Sequence, residues 1–478
     1  MRLSTTTALA ALVAAGLTSF TLTSAPASAA TATAKYGDDF NGDGYRDLAT
    51  AAPDTTVDGK FAAGAVVVTY GSSSGLSSAN RTVISQNSAS VPGAAEEGDS
   101  FGSSLASADL DGDGYADLVV GAEYEDVGNY EDAGSVTVMW GSASGLIGGA
   151  TLAPPATRFD KDRAGMAVAT GDFDGDGLVE VMASGNGDMW HMEGPFARSG
   201  TAGHTEYLSS GTARNLAVGD ITGDGSDEVV ALGGMAEDDL GGYVTMLSWD
   251  SGKLTETEIV ADGLTGAVGD IDADGYADVV LGRGDKHGGE AEAGIADGGQ
   301  ITVLYGGPNG PGTTRPARTL SQASSGVPGT AETWDGFGDS VSMGDLSADG
   351  YADLAVGAPD EGIGDQPQAG AVTVLLGSDS GLTTTGAASF TQNSSGVPGT
   401  AETPDRFGSA VRLADLNGNG GADLSVGVDG ENETGGVWYL RGTSAGITGT
   451  NSIGLTANSL GLTNSGSPTL GKDFAQAE

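Results

Sequence analysis

Seven copies of one nine-residue pattern, Asp-apolar-Asp/Asn/Thr/Ser-x-Asp/Asn-Gly-x-x-Asp/Glu, recur along this chain, beginning at Asp39, Asp109, Asp172, Asp220, Asp270, Asp345 and Asp415. The second copy, Asp109-Leu110-Asp111-Gly112-Asp113-Gly114-Tyr115-Ala116-Asp117, is the cleanest. Side-chain oxygens at positions 1, 3, 5 and 9, with a backbone carbonyl at 7, form the donor set that a hard cation such as Ca2+ takes. Glycine at position 6 in every copy allows a sharp turn through positive φ.

The candidate ligands follow position by position. The first loop offers Asp39, Asn41, Asp43, Tyr45 (carbonyl) and Asp47; the second offers Asp109, Asp111, Asp113, Tyr115 and Asp117. The third offers Asp172, Asp174, Asp176, Leu178 and Glu180, and the fourth Asp220, Thr222, Asp224, Ser226 and Glu228. The fifth has Asp270, Asp272, Asp274, Tyr276 and Asp278, and the sixth Asp345, Ser347, Asp349, Tyr351 and Asp353. The seventh has Asp415, Asn417, Asn419, Gly421 and Asp423. Up to seven Ca2+ are expected. The alternative, Asx-rich turns that hold no ion, has most room in the seventh loop with its two Asn ligands, and some in the fourth with Thr222.

The spacing excludes an EF-hand, which needs a bidentate Glu at position 12 and flanking helices. Position 12 is Thr50 in the first loop and Val120 in the second, inside β-type runs. Position 2 is always apolar (Phe40, Leu110, Phe173, Ile221, Ile271, Leu346, Leu416), as is position 10 (Leu48, Leu118, Val181, Val229, Val279, Leu354, Leu424). Anchors on both sides predict a loop that joins two buried strands, a β-hairpin.

Arg2, an apolar run from about Ala8 to Phe20, and Ala27-Ser28-Ala29 read as a secretory signal peptide over 1–29, cut near Ala29. That run is too short to span a bilayer and no later segment qualifies, so a secreted, released protein is expected. With no cysteine, disulfides cannot cross-link it, and bound calcium is the available substitute. The formal charge of −46 argues against nucleic acid and anionic membranes. Ligand positions hold 23 of the 65 acidic residues. Two carboxylates ~4 Å apart repel by roughly 4 kcal/mol at an effective dielectric near 20, so ion-free loops are strained.

The loop starts are 70, 63, 48, 50, 75 and 70 residues apart, the size of a multi-stranded repeat. A second marker agrees on seven. Each loop is followed by an apolar strand, an acidic connection and a Gly-led strand such as 134–140, with counterparts near Gly64, Gly187, Gly242, Gly299, Gly370 and Gly436. Several of these end in Gly-Ser-x-Ser-Gly-Leu, as at 71–76, 141–146 and 377–382. About four strands per unit cannot bury both faces of an isolated sheet, and radial packing solves that. The expected fold is all-β: a single seven-bladed β-propeller over 30–478 with calcium-binding β-hairpin loops. The first loop lacks a preceding strand, and the chain ends in a further Phe-led strand start, 472–478. Ring closure by that C-terminal strand is therefore expected.

Phe-Gly stands eight residues before three loops, as Phe101-Gly102, Phe337-Gly338 and Phe407-Gly408. Gly357-Ala358-Pro359 follows the sixth loop, and Ala51-Ala52-Pro53 and Gly121-Ala122-Glu123 are partial matches. With the acidic loop between them, these resemble FG-GAP repeats, similar to the propeller at the head of integrin α subunits. The resemblance covers the mature chain, weakening in units three to five, which lack Phe-Gly. It implies calcium loops on one face and ligand-binding loops on the other. Those loops would include 123–133, 359–369 and the Val-Pro-Gly segments at 91–93, 327–329 and 397–399. Tyr124, Tyr130 and Trp334 are the contact candidates there, with coverage of blade edges as the alternative.

Arg283-Gly284-Asp285 fills a slot where a Gly-Asp turn is expected, so no ligand role is assigned to it. His191, His204 and His287 show no spacing of a metal triad or nucleophile–base pair. The expected function is a secreted, calcium-stabilised adhesion or binding module, monomeric, for an extracellular protein or glycan. The alternatives are a propeller lectin, or an enzyme acting on polysaccharide or phospholipid through a loop-built site. No catalytic constellation is visible, so an enzyme is not expected.

Overall fold

The computed structural model describes residues 34–152, 159–208, 211–233, 242–284, 295–462 and 466–477. The signal peptide expected over 1–29 lies outside them. The described residues form seven sheets, almost without helix, antiparallel apart from Gln476–Ala477, which pairs parallel with Ser104–Ala108. Each sheet is a blade. Blade two shows the plan, with Ser104–Ala108, Asp117–Ala122, Ser135–Trp140 and Ile147–Leu152 running from inside to outside. The inner strands of blades three to seven are Val168–Gly171, Ala213–Gly219, Thr265–Gly269, Ser340–Gly344 and Phe407–Ala414. In every blade the nine-residue loop leads into the second strand, and in blades two to seven it joins the inner strand to that second strand, so these are hairpin loops.

Seven apolar clusters fill the seven gaps between neighbouring blades. The two anchors of each loop go to opposite gaps. Phe40 packs with Phe101, Leu105 and Leu118 of blade two, whereas Leu48 packs with Val437 and Tyr439 of blade seven. The same division holds around the ring, so each loop pins both faces of its own blade. A period of apolar residues on both faces of a strand is what a sheet buried on two sides requires.

The ring closes through the C-terminal segment, in a register four residues earlier than Phe474 suggests. Leu470-Gly471 takes the Phe-Gly place: Gly435 bridges Leu470 as Gly64 bridges Phe101. Gly471 then donates to the Ala51 carbonyl at 3.1 Å, Ala51 to that of Asp473 at 2.9 Å and Ala475 to that of Ala49 at 3.1 Å. This supplies the inner strand of blade one, whose own strands are Leu48–Ala52, Ala65–Thr69 and Arg81–Ile84. Leucine replaces phenylalanine at the start, which is why the sequence pattern points to the wrong aromatic.

The inner strands surround a channel of about 490 Å3 lined by Thr170, Val218, Val268, Met343 and Leu413. At one side Arg412 donates to Asp38 at 2.5 Å, and Arg46 to the other Asp38 oxygen at 3.0 Å. The N-terminal segment is thereby tied to blade seven, beside the C-terminal seam.

Candidate functional site

In all seven loops, the position-6 glycine has a φ between 84° and 93° and its N–H donates to the position-1 carboxylate at 2.8–3.1 Å. The position-7 N–H donates to the position-5 side chain at 2.8–3.2 Å. These bonds hold the Asp43, Asp113, Asp176, Asp224, Asp274, Asp349 and Asn419 oxygens in place.

Position 9 is the buried hub of the blade. Asp117 accepts from Leu110 N–H at 3.0 Å with one oxygen and from Gly141 N–H at 2.7 Å with the other. Asp47, Asp278, Asp353 and Asp423 repeat this with Gly71, Gly306, Gly377 and Gly442. Each hub therefore ties the loop to the end of the third strand. Burial pushes Asp47 and Asp117 up to about 8, Asp278 to about 7 and Asp353 to about 6. Neighbouring loop carboxylates add to the rise in each of the four.

Three loops bring their acids together. Asp109, Asp111 and Asp117 approach within 4.8 Å, as do Asp270, Asp272 and Asp278, and all four acids of the third loop, Asp172, Asp174, Asp176 and Glu180. One buried oxygen in each group has no hydrogen-bond donor: Asp111 Oδ1, Asp272 Oδ1 and Asp172 Oδ1. Hard oxygen donors, crowded and partly unsatisfied, fit a divalent cation. The other loops do not converge this way among the described residues. In the fourth, Thr222 donates to Glu228 at 3.0 Å. In the seventh, the Asn417 amide donates to both Asp423 oxygens at 2.6 and 2.7 Å, and Tyr439 joins at 3.0 Å. The first loop has Asn41 and the sixth Ser347 at position 3, with three acids each that stay farther apart.

Several contributors were not legible in the sequence. Arg198 reaches Asp111 and Asp113 at 2.5 Å each while lying over the Trp140 ring, and Arg315 pairs with Asp272 over Tyr305. Position 4 is also left-handed in every loop, with φ of 67–72° at the five glycines and 56° and 58° at Ala273 and Ala348. The position-7 tyrosines explain part of this. A Cβ on Gly42 would lie 2.6 Å from the Tyr115 ring, one on Gly223 2.6 Å from Tyr276, and one on Gly418 2.9 Å from Tyr45. Tyr115, Tyr276 and Tyr45 thus each cover the preceding loop, which ties the first and second, the fourth and fifth, and the seventh and first loops together. Behind the third loop, fully buried His191 sits 3.6 Å from Glu180, between Phe173 and Trp249.

The opposite rim carries the remaining candidates, because an antiparallel blade puts the connections 123–133 and 359–369 at the far ends of the same strands. Tyr130 and Trp334 are exposed there. Tyr124 is half-buried under Arg163, 4.7 Å from its ring. Phe61, Phe159 and Tyr243 join the exposed set from equivalent connections; the five range from 40 % to 63 % exposed. Arg283 of the Arg-Gly-Asp triplet is buried in Asp278–Arg283, and Asp285 lies outside the described residues.

A seven-bladed propeller with an acidic hairpin collar is the class these features define. FG-GAP repeats are matched at residues 101–139 and 337–375, so the chain carries two FG-GAP repeats within its β-propeller. It is 34 % identical over 149 residues to phosphatidylinositol-glycan-specific phospholipase D of Rattus norvegicus, covering 30 % of this chain and 17 % of that protein. It is 31 % identical over 232 residues to integrin alpha-8 of Mus musculus, covering 47 % of this chain and 20 % of that one. Integrin alpha-IIb of Homo sapiens matches at 29 % over 251 residues, 51 % of this chain and 22 % of the relative. The matched stretches thus span about a fifth of these relatives. A proposed 6-phosphogluconolactonase from Bacteroides uniformis aligns at a TM-score of 0.43 and 12 % identity over 86 % of this chain and 97 % of that one, too loosely to carry an argument. Among the described residues no helix is long and apolar enough to cross a membrane.

Proposed function

We propose that this chain is a secreted, calcium-stabilised recognition module whose partner, an extracellular protein or glycan, docks on the rim opposite the acidic collar. The observation that carries this is the set of five exposed aromatics, Phe61, Tyr130, Phe159, Tyr243 and Trp334, on connections at that one rim. Exposed aromatic rings supply contact area at low entropy cost in both sugar and protein recognition. Calcium belongs to the collar, with the second, third and fifth loops as the ion sites, on the strength of their converging carboxylates and unsatisfied oxygens. The strongly negative chain favours a basic or neutral partner. The phospholipase relative adds no catalytic reading, since its match covers 17 % of that protein.

The test is a binding screen against glycans, insoluble polysaccharides and matrix proteins, in millimolar calcium and again in chelator. Calcium-dependent capture of one class is expected, weakened at least tenfold by Phe61→Ala with Trp334→Ala and unaffected by Leu178→Ala on the collar. A glycan hit would make the module a lectin. Silence across the panel with folded protein would sink the recognition role.

A further inference from the structure

A second constellation repeats at a fixed spacing outside the nine-residue loops. Gln86 is followed by Glu96, Asp99 and Glu125; Gln322 by Glu332, Asp335 and Glu361; and Gln392 by Glu402, Asp405 and Glu431. In each case the acids stand 10, 13 and 39 residues after the glutamine. The glutamine leaves the outer strand of one blade, the next two acids precede the inner strand of the following blade, and the last lies after that blade's second strand. The three clusters therefore bridge blades one and two, five and six, and six and seven, at the rim opposite the collar.

Their geometry is the same three times. The glutamine Nε2 donates across the blade gap to Glu125, Glu361 or Glu431 at 2.5, 2.7 and 2.8 Å. Asp99, Asp335 and Asp405 accept from the backbone N–H of Glu96, Glu332 and Glu402 at 2.6, 2.6 and 2.7 Å. That leaves the carbonyl oxygen of each amide. Gln86, Gln322 and Gln392 are only 4 %, 6 % and 1 % exposed, and Oε1 has no donor in any of them. It is bonded to the same carbon as the Nε2 that grips the glutamate, so it lies beside that glutamate's carboxylate. A buried carbonyl without a donor is costly, and the same cost at the same register in three blade gaps is a construction rather than a packing fault.

We propose that these three inter-blade clusters are divalent-cation sites, distinct from the collar, in which the glutamine carbonyl and the surrounding carboxylates are the oxygen ligands. The acids of each cluster lie farther apart than those of the second, third and fifth loops, and Ca2+ is the fitting ion, since it takes six to eight oxygens, waters among them, in flexible geometry. Among the described residues Glu125, Glu361 and Glu431 form no ion pair, and Arg406 at the third cluster is occupied with Asp360 and Asp429 instead. Burial and then neighbouring acids push Glu125 up to about 7, and burial raises Asp99 and Asp405 to about 6, a cost that a bound cation would remove. The inference stands whether or not this rim recognises a macromolecule.

Native mass spectrometry of the full chain at graded free Ca2+ tests it. Glu125→Gln, Glu361→Gln and Glu431→Gln should each lower the saturating ion count by one, and the triple variant by three, with folding checked by circular dichroism. An unchanged count in the folded triple variant overturns the proposal and leaves carboxyl groups that share protons. Should the triple variant fail to fold, Trp334 offers a second readout, because it lies in the chain between Glu332 and Asp335. Tb3+ emission sensitised through its indole should fall several-fold in Glu361→Gln, and undiminished emission overturns the site.

Discussion

At the scale of single residues, position 9 matters more for the fold than a ligand role alone implies. Asp117→Ala would leave the Leu110 and Gly141 N–H groups buried without acceptors. At ~1–3 kcal/mol per orphaned donor, a loss of about 3 kcal/mol is expected, measured by denaturant unfolding in chelator so that no ion contributes. Position 4 gives the opposite sign. Ala273 is held at φ 56°, where an L side chain is strained, so Ala273→Gly should stabilise by ~0.5 kcal/mol after the added chain entropy is discounted. Gly42→Ala should cost about 2 kcal/mol, since its new Cβ would lie 2.6 Å from Tyr115. The hubs also set a pH dependence. Asp47, Asp117, Asp278 and Asp353 have folded pKa values raised to between about 6 and 8, against an ordinary 3.8. The ion-free native state therefore keeps protons that the unfolded chain has shed, and stability is lost as pH rises through those values. In chelator the melting temperature should fall from pH 6 to pH 8; a rise would contradict the assignment.

At the scale of elements, the acidic hairpins were readable because their information is local. A nine-residue turn is specified by the glycine at position 6, the acids that cap its own N–H groups and the apolar residues at 2 and 10, all within a few bonds of one another. The closing strand was half-readable. Its existence followed from the missing partner of the first loop, but its register depended on Leu470 standing where other blades have phenylalanine. Both Leu470 and Phe474 are fully buried at the seam of blades seven and one. Removing residues from 470 onward should therefore lower the melting temperature by about 10 °C or more. A truncated chain that melts with the full one would mean that the seam is closed by other contacts.

At the scale of the whole molecule, the ions proposed for the collar would stabilise the ring through the loops whose acids converge. Each site filled at tenfold excess contributes ~1.4 kcal/mol, so the second, third and fifth loops together give about 4 kcal/mol. Chelation should lower the melting temperature by several degrees, and Asp172→Asn with Asp174→Asn should remove one collar site's share of that shift. A shift independent of those residues would place the stabilising ions elsewhere, the inter-blade glutamine clusters being the first place to look.

What the sequence by itself determined is the repeat: seven hairpins, their glycines and acids, and the apolar anchors that demand strands buried on both faces. Turn conformation and strand alternation depend on neighbours along the chain, so they can be read one residue after another. Only the tertiary structure decided which acids meet, which aromatics reach solvent, and that Arg198 lies against the second loop's acids from 87 and 85 residues away. It also decided that Asn417 turns its amide into its own loop, and that three glutamine carbonyls are buried without a donor. Those outcomes depend on how neighbouring blades face each other, and the curvature of the ring sets that geometry.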